Sequence, residues 1–318
     1  MMNRAYLGGV TIGDGLPVAV AGALNVSPES FYQASIMTEG DHLLRAGERM
    51  ARAGAAFVDV GAMSTAPYLA ARIPESQEAE RLAWAVDLLV RKLDLPVSAD
   101  TSRSLPARAA LEAGARIVND VTGLTGDPGM APLVARARTA LILMASAGRR
   151  TSRAQGEPQP GRGLGFPRAR RATRSCPADR GERIQASHDP LAIVRGLLEE
   201  SLGLARAAGI DPSLIVVDPG IGFFRHQGMV WHEWDCAVLA GLHRLRELGQ
   251  PVCVGVSRKS FIGAVAGEDD PARRLPGSLA ATAVAVLGGA QLIRTHDVEE
   301  TVQAVKVAEA VRRAREGP

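Results

Sequence analysis

Short apolar runs and longer amphipathic stretches take turns along this chain, and that alternation limits the folds open to it more than any single residue does. The runs 17–28, 55–62, 95–100, 115–121, 139–146, 214–220, 251–257 and 291–297 are rich in Val, Ile and Leu, with no sustained polar alternation. That is the pattern of parallel strands covered on both faces. Helical patterns lie between and after them, at 40–53, 75–92, 103–114, 129–137, 189–208, 233–248, 277–289 and 298–315. In 75–92 the acids come early and the bases late, and Leu82, Val86 and Leu89 share one face, as a helix docked on a sheet requires. Several helical stretches meet a glycine just before the next strand, at Gly54, Gly114, Gly209 and Gly289, where a left-handed cap can end a helix.

Eight strand–helix units in 318 residues predict an α/β fold closed as a (β/α)8 TIM barrel, a single domain over 1–318. No GxGxxG follows the first run, which removes the main support for a dinucleotide fold and leaves an open sheet in two domains as the alternative. One stretch breaks the rhythm. Residues 147–187 are rich in Gly, Pro, Arg and Ser with no periodicity, and read as a long flexible insertion after the fifth strand. Between Arg149 and Arg183 it carries ten arginines against Glu157, Asp179 and Glu182, a local charge of +7 in a chain whose total is +3. The rest of the chain is therefore acidic, and the pI of 9.0 belongs largely to one segment. Nucleic acid is not the expected partner of the body, weak binding by the arginine-rich stretch aside.

With 46% hydrophobic residues the chain is too apolar for disorder, yet it has no run of eighteen uncharged apolar residues. The start lacks the basic-then-apolar layout of a secretory signal, so a soluble cytoplasmic protein without a membrane partner is expected. Cys176, Cys236 and Cys253 are odd in number and far apart, which argues against both a disulfide framework and a thiolate zinc site. His226 and His232 read as loop histidines rather than metal ligands.

The active face of such a barrel lies at the carboxyl ends of its strands. That face receives Asn25, Asp59, Asp100, Asn119, Asp218, Lys259, Arg294 and His296. Asp100, Asn119 and Asp218 offer convergent acceptors and one amide, a set that matches the amino-amide edge of a flat heterocycle such as a pterin. Local roles compete: Asp218 can close an Asx turn at Pro219-Gly220, and Asn119 can cap the segment that follows it. Lys259, Arg294 and His296, with Ser257 beside them, suggest an anion. Arg258 and Lys259 would stand together at a helix start, where two cations oppose the helix dipole unless an anion is present.

The segments ALNVSPESF (23–31), FVDVGAMST (57–65), VSADT (97–101), IVNDVTG (117–123), VVDPGIGF (216–223), VGVSRKSFIG (254–263) and IRTHDVEET (293–301) resemble, in order, those of the dihydropteroate synthase family of pterin-binding enzymes. The resemblance implies a (β/α)8 barrel, usually dimeric. It implies an enzyme that joins 6-hydroxymethyl-7,8-dihydropterin diphosphate to 4-aminobenzoate, with magnesium, and releases diphosphate. By that resemblance Asp100, Asn119, Asp218 and Lys259 would hold the pterin. Asn25, Arg294 and His296 would hold diphosphate, with Asn25 also on Mg2+. Asp59 would support the pocket, Thr65 and Ser257 would lie beside the arylamine, and Lys259, Arg294 and His296 would act in catalysis.

The chain departs from the family pattern at three places. Gln33 in SFYQAS stands where the family has a loop aspartate, Ala66 in STAPY where it has an arginine, and Ala145 where it has a histidine. The paired loss of Asp and Arg is that of a loop ion pair, and the arginine-rich stretch would supply replacement cations. A substituted arylamine, as in tetrahydromethanopterin synthesis, is compatible with these changes. Two other readings stay open: a methyl-pterin-dependent corrinoid methyltransferase, and a non-catalytic pterin-binding or assembly protein.

Overall fold

The computed structural model describes residues 3–26, 36–62, 73–147, 189–224 and 229–316. Two short strands, β1 (Arg4–Leu7) and β2 (Val10–Gly13), form an antiparallel hairpin that the apolar runs did not predict. The signal was there in Gly8-Gly9: both residues take positive φ, +59° and +118°, as a tight hairpin turn demands. The first of these strands alternates exposed Arg4 and Tyr6 with buried Ala5 and Leu7, so it offers no continuous apolar run.

All eight predicted strands then follow, each trimmed at its ends: β3 (Ala19–Asn25), β4 (Phe57–Gly61), β5 (Val97–Asp100), β6 (Ile117–Asp120), β7 (Ala140–Met144), β8 (Ile215–Asp218), β9 (Cys253–Gly255) and β10 (Leu292–Thr295). They pair in parallel in the order β8-β7-β6-β5-β4-β3-β10-β9. A single parallel bridge, Val217 to Val252, with the Val217 N–H on the Pro251 carbonyl at 2.9 Å, joins the two ends into a barrel. Helices flank it: α1 (Ile36–Arg52), α2 (Glu75–Lys92), α3 (Ser104–Glu112), α4 (Met130–Ala137), α5 (Pro190–Ala207), α6 (Trp231–Ala240), α7 (Ser260–Ala266), α8 (Leu275–Leu287) and α9 (Val298–Glu316). No described helix is long and apolar enough to cross a membrane.

Local chemistry accounts for most of the boundaries. Leu82, Val86 and Leu89 of α2 are fully buried, as their shared face predicted. Asp189 caps α5 by accepting from the Leu191 N–H at 3.0 Å, and Pro190 opens it. Gly114 and Gly209, at φ +108° and +77°, supply the left-handed residues after α3 and α5. Two expectations change. The stretch 233–248 is α6 followed by 3-10 turns over Leu242–Leu248, because Gly241 interrupts it where a Cβ would meet Leu191 Cδ2 at 2.8 Å. Helix α7 begins where the sequence suggested a helix start at Arg258-Lys259, although no helical stretch was assigned between β9 and 277–289.

The lumen is stratified. Leu7 and Ile12 of the hairpin pack with Phe57, Ile117, Ile142, Val216, Cys253 and Leu292, closing the amino-terminal end of the barrel with apolar side chains. Polar residues begin one layer further along, at Asp59, Ser98 and Asn119. The arginine-rich stretch lies outside the described residues, between β7 and α5; β7 is the fifth strand of the barrel and the seventh of the chain.

Candidate active site

Period-two alternation sends Asp59, Asp100, Asn119 and Arg294 into the lumen from four different strands, β4, β5, β6 and β10, and register brings their heads together. Asp59 Oδ2 accepts from Asn119 Nδ2 at 2.9 Å and from Arg294 Nε at 2.5 Å. Arg294 Nη2 donates to Asp100 Oδ2 at 2.7 Å. Both carboxylates are buried, and Asp59 Oδ1 and Asp100 Oδ1 have no hydrogen-bond partner among the described residues. Unpaired buried acceptors are costly in a finished core, so two of them facing one lumen mark a place built for a donor-bearing ligand.

Charge follows from this crowding. Burial, with the neighbouring Asp59 charge, pushes the Asp100 pKa up to about 7 against the pull of Arg294. Arg294 is held above its ordinary value by Asp59 and Asp100, although burial opposes them. The guanidinium is thus a permanent cation between two acids.

Lys259 enters from the other side. It is the N-cap residue of α7, and its Nζ lies 4.5 Å from the centroid of the Phe223 ring. Gly222, at φ +85°, makes room for it: a Cβ there would press Lys259 Cδ at 3.1 Å. Burial lowers the Lys259 pKa to about 8, and Asp218 opposes that shift. Asp218 does close an Asx turn, accepting from the Gly220 N–H at 2.7 Å, yet its carboxyl also neighbours Lys259 and the buried Cys253 thiol. Burial raises both Asp218 and Cys253.

Arg258 and Lys259 do not stand together. Arg258 adopts φ +58°, which turns its side chain away from Lys259 onto Asp297, Nε to Oδ2 at 3.0 Å. Only Lys259 faces the lumen side. Beyond the strand ends, Ser257 Oγ lies 3.0 Å from His296 Nδ1 and accepts the His296 backbone N–H at 3.2 Å. The Ser257 hydroxyl is thus engaged with His296. His296 is exposed at the mouth but crowded on its inner side, and this partial loss of solvent, then the Arg294 and Arg258 charges, lowers its pKa from the ordinary value, so at pH 7 the ring offers a neutral N–H and no charge.

Asn25 ends β3 exposed at the mouth. Asn119 caps nothing; Asp120 does that work, accepting from the Thr122 and Leu124 N–H groups, both at 2.8 Å. Ala145 is buried, and its N–H donates to the Asp218 carbonyl at 2.8 Å. Thr65, Gln33, Ala66 and His226 lie outside the described residues. Gly222, Phe223 and Cys253 were missed as site residues, although DPGIGF announced the glycine pair that shapes the turn.

The family model described as pterin binding enzyme matches residues 21–296. The chain is 39% identical to a dihydropteroate synthase from Mycobacterium leprae, over 92% of this chain and 93% of that one. It is 34% identical to one from Synechocystis, over 92% of this chain and 89% of the relative. A structure of the Xanthomonas albilineans dihydropteroate synthase with 4-aminobenzoic acid superposes with a TM-score of 0.77 at 33% identity, covering 98% of this chain and 99% of that one. With the buried carboxylates, Lys259 and Arg294 gathered at one end of the same barrel, the chain belongs to the dihydropteroate synthase family of pterin-binding enzymes.

Proposed function

We propose that the protein condenses 6-hydroxymethyl-7,8-dihydropterin diphosphate with 4-aminobenzoate or a substituted arylamine and releases diphosphate, in the cytoplasm. The observation that carries this reading is the pair of unpartnered buried oxygens, Asp59 Oδ1 and Asp100 Oδ1, beside the Asn119 amide. A pterin has the N–H groups that such acceptors lack. Asp100, Asn119 and Asp218 take its edge, Asp59 holds Asn119 and Arg294 in place, and Lys259 covers the ring from the Phe223 side. Thr65 is assigned to the arylamine side on family resemblance.

The C–O bond at the pterin methylene breaks, diphosphate leaves with the electron pair, and the arylamine nitrogen forms the new C–N bond and sheds a proton. Lys259 as a cation, His296 as a neutral donor and the outer face of Arg294 meet the charge that develops on the leaving group. Nη1 of Arg294 makes no hydrogen bond among the described residues, so it remains available to an anion. Positioning of the amine, already nucleophilic at neutral pH, does the rest.

Among the described residues no three His, Cys, Asp or Glu side chains form a metal cluster. The donor set therefore suits a magnesium ion that arrives with its ligand: Asn25 would hold it through one amide oxygen, with phosphate oxygens and water as the other ligands. Such an ion would supply charge neutralisation at the diphosphate. We also place residues 147–187 as an insertion in the fifth strand–helix unit of one barrel domain, with its arginines as the source of replacement cations. A homodimer is proposed on the exposed apolar side chains Val284, Val307 and Val311, which adjoining helices α8 and α9 carry.

Diphosphate release from the pterin diphosphate, with and without a panel of free and glycosylated arylamines, tests the reading. Release that depends on the amine supports it. Release without amine dependence makes the protein a hydrolase, and tight pterin binding without release makes it a binding protein.

A pH profile follows from the two perturbed groups. Asp100 must be ionised to accept the pterin N–H groups, so kcat/KM for the pterin substrate rises as pH climbs through about 7. Lys259 must be charged, so it falls again through about 8. A narrow bell is expected, and Lys259→Arg should abolish its alkaline limb. A flat profile from pH 6 to 9 would contradict both assignments.

A further inference from the structure

Past the ends of β9 and β10 the chain makes two successive cross-links, Ser257 to His296 and Arg258 to Asp297. Arg258 and Asp297 are each held by a second bond. The Arg258 N–H donates to Ser278 Oγ at 2.9 Å, and the Asp297 N–H donates to Thr295 Oγ1 at 3.2 Å. The His296 ring is therefore fixed at its inner edge, through Nδ1, while Nε2 lies on the opposite edge of a residue exposed at the mouth of the barrel.

Hydrogen-bond arithmetic decides which nitrogen carries the proton. Ser257 Oγ already accepts the His296 backbone N–H. If Nδ1 were also protonated, the serine oxygen would accept twice and its own hydroxyl proton would need another acceptor. Ser257 is only 8% exposed, and no other acceptor for that proton is found among the described residues. If instead the hydroxyl donates to an unprotonated Nδ1, both groups at the contact are satisfied, and Nε2–H is left for an acceptor outside it. We propose that Ser257 is a positioning residue that holds His296 as its Nε2–H tautomer, with that N–H presented to the anionic tail of the pterin substrate.

The leaving-group role rests on the synthase reading, whereas the tautomer does not. Full-length protein labelled with 15N-histidine, free of ligand at pH 7, reads it directly, the His296 signals being assigned by their loss in His296→Asn. Wild type is expected to show an unprotonated Nδ1 and a protonated Nε2. Ser257→Ala should move the ring to a mixture of tautomers and lower kcat for diphosphate release about 10-fold, the equivalent of one misdirected hydrogen bond, with KM for the pterin substrate little changed. Ser257→Thr, which keeps the hydroxyl, should restore both. A protonated Nδ1 in wild type, or an unchanged tautomer in Ser257→Ala, overturns the proposal. Should the alanine variant not fold, the wild-type and threonine spectra still decide. An Nε2–H ring in a protein that releases no diphosphate would keep the tautomer and remove its role, which separates this proposal from the reading it builds on.

Discussion

Replacing Arg294 with alanine is expected to cost the fold about 3–5 kcal/mol and to cut turnover roughly a hundredfold or more. The guanidinium bridges Asp59 and Asp100, both almost fully buried, at 2.5 and 2.7 Å. Its removal leaves two carboxylates in the lumen with no counter-cation on their shared side, and thermal unfolding should show a midpoint lowered by roughly 10 °C. Arg294 lowers the Asp100 pKa, so in the variant this carboxyl takes up its proton above about 7, and the deficit should shrink as pH falls towards about 7 and level off below it. Arg294→Lys keeps the charge but not the planar fork that reaches both acids, so it should recover only part of the stability. A variant as stable and as active as wild type at pH 8 would show that the bridge is dispensable.

Asp100→Asn separates recognition from stability. Hydrogen bonds to a charged acceptor contribute about 1.5–3 kcal/mol, so affinity for the pterin, measured by calorimetry, should fall roughly 10–100-fold. The trend in stability runs the other way. Folding raises the Asp100 pKa from 3.8 to about 7. The folded state therefore keeps a proton that the unfolded chain releases, and this residue makes wild type less stable as pH rises from about 4 to 7. Asparagine does not titrate. The melting-temperature difference should thus move in favour of Asp100→Asn across that window and level off above it. A difference that moves towards wild type instead would mean that Arg294, not burial, dominates the carboxyl.

What could be read in the sequence, and what could not, divides along physical lines. The barrel strands were legible because each is a continuous apolar run, and α2 because its capping charges and buried face agree. Asp59, Asp100, Asn119 and Arg294 could be placed at the lumen because strand ends point there whatever the details. Their mutual bonds could not be placed, since they depend on register between strands that are distant in sequence. Arg258 shows the limit most clearly. Its neighbour Lys259 suggests a paired cation site, yet one positive φ sends the two side chains to different partners. The hairpin at Gly8-Gly9 and the break at Gly241 are of the same kind, small backbone choices that hydrophobic periodicity does not sense.

Because β8 and β9 are stitched by one bridge while other neighbouring strands share full ladders, the barrel has a seam. Asp218 hangs from one lip of it, and the turn leading to Lys259 from the other. Opening there would change the gap between those two groups while the paired strands that carry Asp59 and Asp100, on the opposite wall, keep their ladder; Arg294, on β10 beside β9, reaches across to them. The cup that receives the substrate thus has a stiff wall and a compliant one.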